Sequence, residues 1–292
     1  MVARVLVGTC NWSDHRDFYP KGLPARDRLS FYAGVFPLVE VDSSYYAIPP
    51  PERTRSWVEA TPAEFSFNVK AYRALTYHER EQGVARDPTP AEEQAFLRCL
   101  EPLRQLGRLR AVHYQFPPWF RFEPENVNRL ALLRDRHPED LVVVEFRHRS
   151  WSHPEHLPRL LDLLREARLS LCVVDEPEIG SGSFPTLLEV TDPRLLVIRF
   201  HGRNRTTWYR SGATSADRFD YLYGEDELRA WRAPILELSQ EVGQLHVLFN
   251  NNRANYAVIN GLQMAALLGL AYPRSVPGQQ LLPLPERSGP GA

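Results

Sequence analysis

The amino-acid sequence predicts an α/β fold, a (β/α)8 barrel of the TIM type with an irregular sixth crossover. Three observations predict it. Eight short apolar segments alternate with amphipathic helical segments along nearly the whole chain, the pattern of a parallel sheet with crossover helices. The length, 292 residues, with 43% hydrophobic and 24% charged residues, suits a single barrel domain. No GxGxxG follows the first strand, so the runner-up, an open doubly wound sheet that binds dinucleotides, lacks its main sign.

The elements follow in order. Strand 1 is expected at Val5 to Thr9, then a helix from Arg26 to Val35 and strand 2 at Leu38 to Asp42. A helix from Pro51 to Ala60 precedes strand 3, Phe65 to Lys70. Pro90 before an acidic first turn opens a helix from Ala91 to Leu106, with Pro102 expected to kink its end, and strand 4 runs from Ala111 to Phe116. A helical pattern at Val127 to Arg136 leads to LVVVEFRHRSW, Leu141 to Trp151, a buried strand that turns polar at its downstream end. A helix from Pro154 to Ala167 and strand 6 at Leu171 to Asp175 come next. The connection EPEIGSGSFPTLLEVTDP is rich in Gly and Pro with no helical period, so the sixth crossover is read as irregular before strand 7, Leu195 to His201. A helix from Asp226 to Glu241, strand 8 at Leu245 to Asn250 and a helix from Ala254 to Leu268 complete one domain over residues 1–272. The Pro- and Gly-rich residues 273–292 read as a tail.

Composition excludes several classes. A formal charge of −1 argues against global attraction to nucleic acid or anionic lipid. The N-terminal apolar run is too short for a secretory signal and no stretch approaches a membrane span, so a cytoplasmic location without membrane contact is expected. Cys10, Cys99 and Cys172 are widely spaced and read as free thiols.

Several separate motifs stand in order: VGTCNWSDHRDFYPKGLPARDRLSFYAGVFPLVEVDSSYY, FSFNVKAYRALTYH, YQFPPWF, VEFRHRSW, VVDEP, VIRFHGRN and FNN. Together they resemble the YecE-like family, also called the domain of unknown function 72 family, over nearly the full chain to about Leu270. The resemblance implies a TIM-like barrel and supplies no reaction. This chain departs from the family's usual pattern at Cys10 and Asn11, where Ser and Gly are common, and at Asp42, where Asn is common.

Function must then be read from the strand ends, where barrels of this type carry their active sites. Alternation along each strand, with the polar face taken as inward, places Glu40, Asp42, Asn68, Lys70, His113, Gln115, Glu145, Arg147, Asp175, Arg199, His201 and Asn250 around the barrel axis. Buried ions persist only when paired, metal-bound or facing a wet site, so two readings stand side by side. One is a structural ion-pair network, with Glu145 on Arg199 or Asp175 on Arg147. The other is an acid/base site: Glu145 as first candidate, Glu40 its counterpart, and Lys70, Asp175 and His201 as further catalytic candidates. Lys70 is open to pairing, anion binding or Schiff-base chemistry.

Arg147, Arg199, Arg203, Gln115, Trp12, Tyr46, Trp151 and Asn250 are the candidate substrate contacts. They sit within a wider rim of Arg73, His148, Arg149, Arg205, Arg210, Tyr45, Trp119, Trp208 and Tyr209. Cys10 reads as a small buried thiol before it reads as a nucleophile, and the loop Tyr72 to Pro90 as a lid or a surface excursion.

The leading expectation is an enzyme, of hydrolase type, using carboxylate acid/base chemistry on a phosphate-bearing anion. The alternatives are a non-catalytic nucleic-acid-binding protein and a metal-dependent phosphoesterase resembling the barrel-type apurinic endonucleases. A divalent metal on Glu40, Glu145, Asp175 and His201 is opposed by the nearby Arg147, Arg199 and Lys70, and no HExxH spacing is present.

Overall fold

In a computed structural model, which describes residues 3–208 and 215–272, the chain forms one continuous parallel sheet wrapped by helices. The strands of this sheet are β1 (Arg4–Cys10), β2 (Leu38–Val41), β3 (Ser66–Lys70), β4 (Leu109–Gln115), β5 (Val142–Glu145), β7 (Leu196–Phe200) and β8 (Gln244–Phe249), and a separate two-residue hairpin pairs Arg80–Glu81 with Val84–Ala85. Between β5 and β7, β6 consists of Leu169–Leu171 and Val173–Asp175, interrupted at Cys172. Its first half pairs with β5 and its second half with β7, so this one strand joins the two edges of the sheet and closes the barrel.

Continuity across the break is kept by Cys172 N donating to Val144 O at 2.8 Å. The Leu171 amide is taken instead by Thr191 Oγ1 at 2.8 Å. Close approach of strands also needs a glycine at one point: a Cβ at Gly8 on β1 would fall 2.2 Å from the Leu38 carbonyl oxygen on β2.

The helices are α1 (Arg28–Ala33), α2 (Ser43–Tyr46), α3 (Pro51–Glu59), α4 (Pro90–Gln105), α5 (Pro124–Ala131), α6 (Leu133–Arg136), α7 (Leu157–Glu166), α8 (Ser215–Arg218), α9 (Glu225–Leu238) and α10 (Tyr256–Leu267). Their faces follow from the sequence period. On α9, Leu228, Trp231, Ile235 and Leu238 recur three or four residues apart and are all buried. Thr89 and Glu92 form a reciprocal cap at the start of α4, and that helix runs past Pro102 to Gln105.

The outward strand face, including Phe67, Val69, Val144, Ile198 and Phe200, is fully buried under this helical layer. Each such side chain contributes about 1.5–3 kcal/mol of burial. The sixth crossover holds only a 3-10 turn, Gly180–Gly182, as its Gly- and Pro-rich sequence predicts. Thr186 Oγ1 on Val174 O and Thr191 Oγ1 on Leu169 O replace the missing helix contacts. The expected tail, residues 273–292, lies outside the described residues, as do Tyr209 and Arg210.

Candidate functional site

The inward faces of β2, β4, β5 and β7 bring four ionisable side chains into a closed ring across the barrel. Arg199 from β7 donates to Glu145 Oε2 at 2.7 Å and to Glu40 Oε1 at 2.6 Å. His113 from β4 completes it, with Nδ1 2.6 Å from Glu40 Oε2 and Nε2 3.3 Å from Glu145 Oε2. All four residues have 0% exposure. Burial raises both carboxyls, but Arg199 and His113 at Glu40, and Arg147 and Arg199 at Glu145, overcome it and leave both well below the usual carboxylate range. Burial lowers His113, and Glu40 reverses this, so its pKa ends above the ordinary value.

Above the ring, just past the end of β5, Arg147 lies between two carboxylates. It is 2.5 Å from Glu145 Oε1 and 2.6 Å from Glu176 Oε2. Its NH2 group also donates to His201 Nε2 at 3.0 Å. On its other side the His201 ring has Asn250 Nδ2 2.9 Å from Nδ1, and Glu145 Oε1 lies 3.3 Å from Nε2. Burial first, then Arg147, pushes His201 down to about 3, which keeps it neutral. Trp208 covers this group, with the Arg147 guanidinium 5.6 Å from its ring, and Phe219 stacks on His201 at 5.8 Å. The sharp turn that starts this cover needs Gly202, whose φ is +88° and where a Cβ would meet Tyr221 Cβ at 2.6 Å.

Two residues of the mouth retain unused capacity. Lys70 ends β3 half-buried, its ammonium 4.9 Å from the Tyr45 ring centre, and among the described residues no carboxylate lies within 4.0 Å of it. Asp42 follows β2 with Oδ1 buried and lacking a hydrogen-bond partner, and the nearest guanidinium nitrogen, on Arg199, is 3.8 Å away. Burial raises the Asp42 carboxyl, and Lys70 only partly offsets the rise. Glu176 behaves similarly: burial pushes it up to about 7 against the pull of Arg147.

The closed, parallel barrel and these motifs have close counterparts among known proteins. The family described as protein of unknown function DUF72 matches residues 6–284. The chain belongs to the DUF72 family. Within it, the UPF0759 protein YunF of Bacillus subtilis is 37% identical over 278 residues, covering 94% of this chain and 98% of YunF. A DUF72 protein of Enterococcus faecalis superposes with a TM-score of 0.83 at 33% identity, over 95% of this chain and 99% of that one. One from Thermotoga maritima gives 0.78 at 35% identity, over 91% and 99%. The YecE-like resemblance and the barrel it implies are therefore established for this DUF72 chain, whereas the family description names no reaction.

Within this DUF72 barrel, the residues expected at the site fall into three groups. Glu40, Glu145, Arg199, Arg147, His201 and Asn250 converge as one connected network, and Lys70 and Gln115 end neighbouring strands at its rim. Asp175 is a correction. It does not face inward or meet Arg147; it accepts from Tyr223 at 2.8 Å and Trp231 at 2.9 Å and holds Arg203 bidentately at 2.8 and 2.6 Å, on the helix side of β6. The inward carboxylate is the next residue, Glu176. An apolar LCVV run gives no alternation to read, and the break at Cys172 leaves the parity to be fixed by the barrel itself.

Trp151 is likewise placed in the core and not on the site. It is fully buried, stacked on Phe146 at 4.5 Å and donating to Phe120 O. Trp12 packs edge-on to Trp57 at 5.6 Å, and Tyr46 is 63% exposed beside Tyr45. Arg203 spends its guanidinium on Asp175 and Glu227.

Cys10 is a buried thiol that donates to Glu40 and accepts from Arg199, both at 3.3 Å, and burial raises its pKa well above normal, which removes the nucleophile reading's thiolate. Two sets of metal-capable atoms, His113–Glu145–Cys172 and Cys10–Glu40–Asp42, each lie within 4.8 Å of one another. In both, a carboxylate oxygen already takes an arginine. No helix among the described residues is long and apolar enough to cross a membrane.

Proposed function

We propose that this DUF72 protein is an enzyme that captures a phosphate-bearing small molecule at the strand-end mouth and moves a proton on it with a carboxyl group. The observation that carries the reading is Lys70. Glu40 and Glu145 are matched by Arg199 and Arg147, whereas the Lys70 ammonium has no carboxylate within salt-bridge reach among the described residues. Burial pushes the remaining two mouth carboxyls, Asp42 and Glu176, towards neutrality. A proton taken up by Asp42 leaves Lys70 less compensated and one taken up by Glu176 leaves Arg147 less compensated, and the mouth then favours an anion.

In this account the roles divide by environment. Glu40 and Glu145, the first sequence candidates, form the ionised floor that holds Arg199 and Arg147 in place. Lys70 binds the anion. Asp42, with an unpartnered buried oxygen beside it, exchanges the proton, and Glu176 is a second titrating group behind Arg147. His201, neutral, positions Arg147.

The rim does not favour the nucleic-acid alternative: Arg73, Arg149 and Arg203 are each paired with a glutamate. A screen of phosphomonoesters and phosphodiesters with the native protein and Asp42→Asn tests the proposal. The expected result is turnover that falls at least ~100-fold in the variant, as for loss of a general acid or base. Turnover undiminished in Asp42→Asn removes Asp42 from the reaction.

A further inference from the structure

Beside the Lys70 corner of the mouth lies a cleft of about 560 Å³, floored by His78 and walled by Tyr45 and Trp119, with Arg73, Arg80 and Glu81 at its edge. Its walls are held in place before any ligand arrives. His78 meets Tyr45 edge-on at 5.0 Å and Trp119 at 5.9 Å, and Trp119 Nε1 donates to Tyr77 O at 3.0 Å. The loop that carries them is clamped by Arg86, which grips both Glu79 and the α4 cap residue Glu92. The Tyr45 ring is shared: one side lines the cleft and the ring also carries the Lys70 ammonium at 4.9 Å.

The lining selects among bodies that such an anion could carry. Arg80 already lies 5.2 Å from the Trp119 ring centre, yet Trp119 keeps 40% of its surface exposed. A flat aromatic ligand would desolvate Arg73, Arg80 and Glu81 without returning hydrogen bonds from its faces, which is costly for charged groups. A polyol returns them, with hydroxyls that accept from the arginines and donate to the glutamate, while its C–H face lies on Trp119.

Resting on the reading of Lys70 as the anion-binding residue, we infer that the cleft is the subsite for the body of the substrate and that this body is a carbohydrate. The substrate class is a sugar phosphate, its phosphate at Lys70 and its ring between Tyr45 and Trp119.

Calorimetric titrations of inorganic phosphate, glucose 6-phosphate, phenyl phosphate and methyl glucoside test it. Expected is glucose 6-phosphate binding about tenfold or more tighter than both phosphate and phenyl phosphate, with Trp119→Ala erasing that gain and leaving phosphate affinity unchanged. Arg80→Gln, which spares the Trp119 anchor, should erase part of the same gain. If phosphate binds and glucose 6-phosphate binds no tighter, or if both variants keep the preference, the sugar subsite is overturned while the Lys70 reading stands. If phosphate does not bind but methyl glucoside does, and Trp119→Ala abolishes it, the cleft assignment stands and the Lys70 reading fails.

Discussion

Arg199 and Glu145 face each other across the barrel at 2.7 Å, both with no solvent exposure, one from β7 and the other from β5. The same guanidinium also holds Glu40, so a single cation bridges the two buried carboxylates of the barrel floor. Such an arrangement is costly to bury and more costly to break, because removing one partner leaves an uncompensated buried charge.

Arg199→Leu should therefore destabilise the protein by about 3–5 kcal/mol, since Glu40 loses its main cationic partner and Glu145 one of its two arginines. Urea unfolding followed by circular dichroism measures this. A loss below about 1 kcal/mol would show that the ring is not the structural floor described here.

Lys70→Met should behave in the opposite way. The residue has no salt bridge among the described residues, so the unfolding midpoint should shift by no more than ~0.5 kcal/mol while anion binding is lost. The contrast between the two variants separates structural charges from available ones.

Stability should fall with pH between about 6.5 and 4.5. Burial holds His78, His201 and His246 down at about 3 in the fold, so over this window the unfolded chain binds more protons than the folded one and stability rises with pH. Glu176, pushed up to about 7, opposes the trend, since it binds more protons when folded between its ordinary value and 7. His113 opposes it only above its ordinary value, because below that it is protonated in both states. His246, whose two ring nitrogens lack partners, is the simplest to isolate. His246→Leu should reduce the slope by about one proton, ~1.4 kcal/mol per pH unit, in thermal melts across this range. An unchanged slope would contradict its burial as a neutral base.

Much of this was legible in the sequence because the barrel's strands turn polar at one end. Glu40, Glu145, Arg199 and His201 alternate with apolar neighbours, so parity alone placed them inward, and the pairing of Glu145 with Arg199 followed from charge balance. Asp175 and Glu176 were not separable in this way, because strand β6 carries no charged residue before Asp175 and is interrupted at Cys172. The tryptophans were ambiguous for a different reason. Trp151 and Trp208 both follow strand ends, but only the three-dimensional path shows one stacked in the core and the other over Arg147. The left-handed turn at Asn11, φ 64°, is carried by an asparagine, one of the few residues that adopts it readily.

The central claim is that Lys70 is an available cation of a mouth whose arginines, Arg147 and Arg199, are matched by carboxylates. Isothermal titration of inorganic phosphate into the native protein and into Lys70→Met, at pH 6 and pH 8, tests it most directly. The account predicts saturable binding to the native protein that is tighter at pH 6, where Glu176 is protonated, and at least tenfold weaker in Lys70→Met with an unchanged melting temperature. Equal affinity in the variant, or no binding to the native protein at either pH, would contradict it.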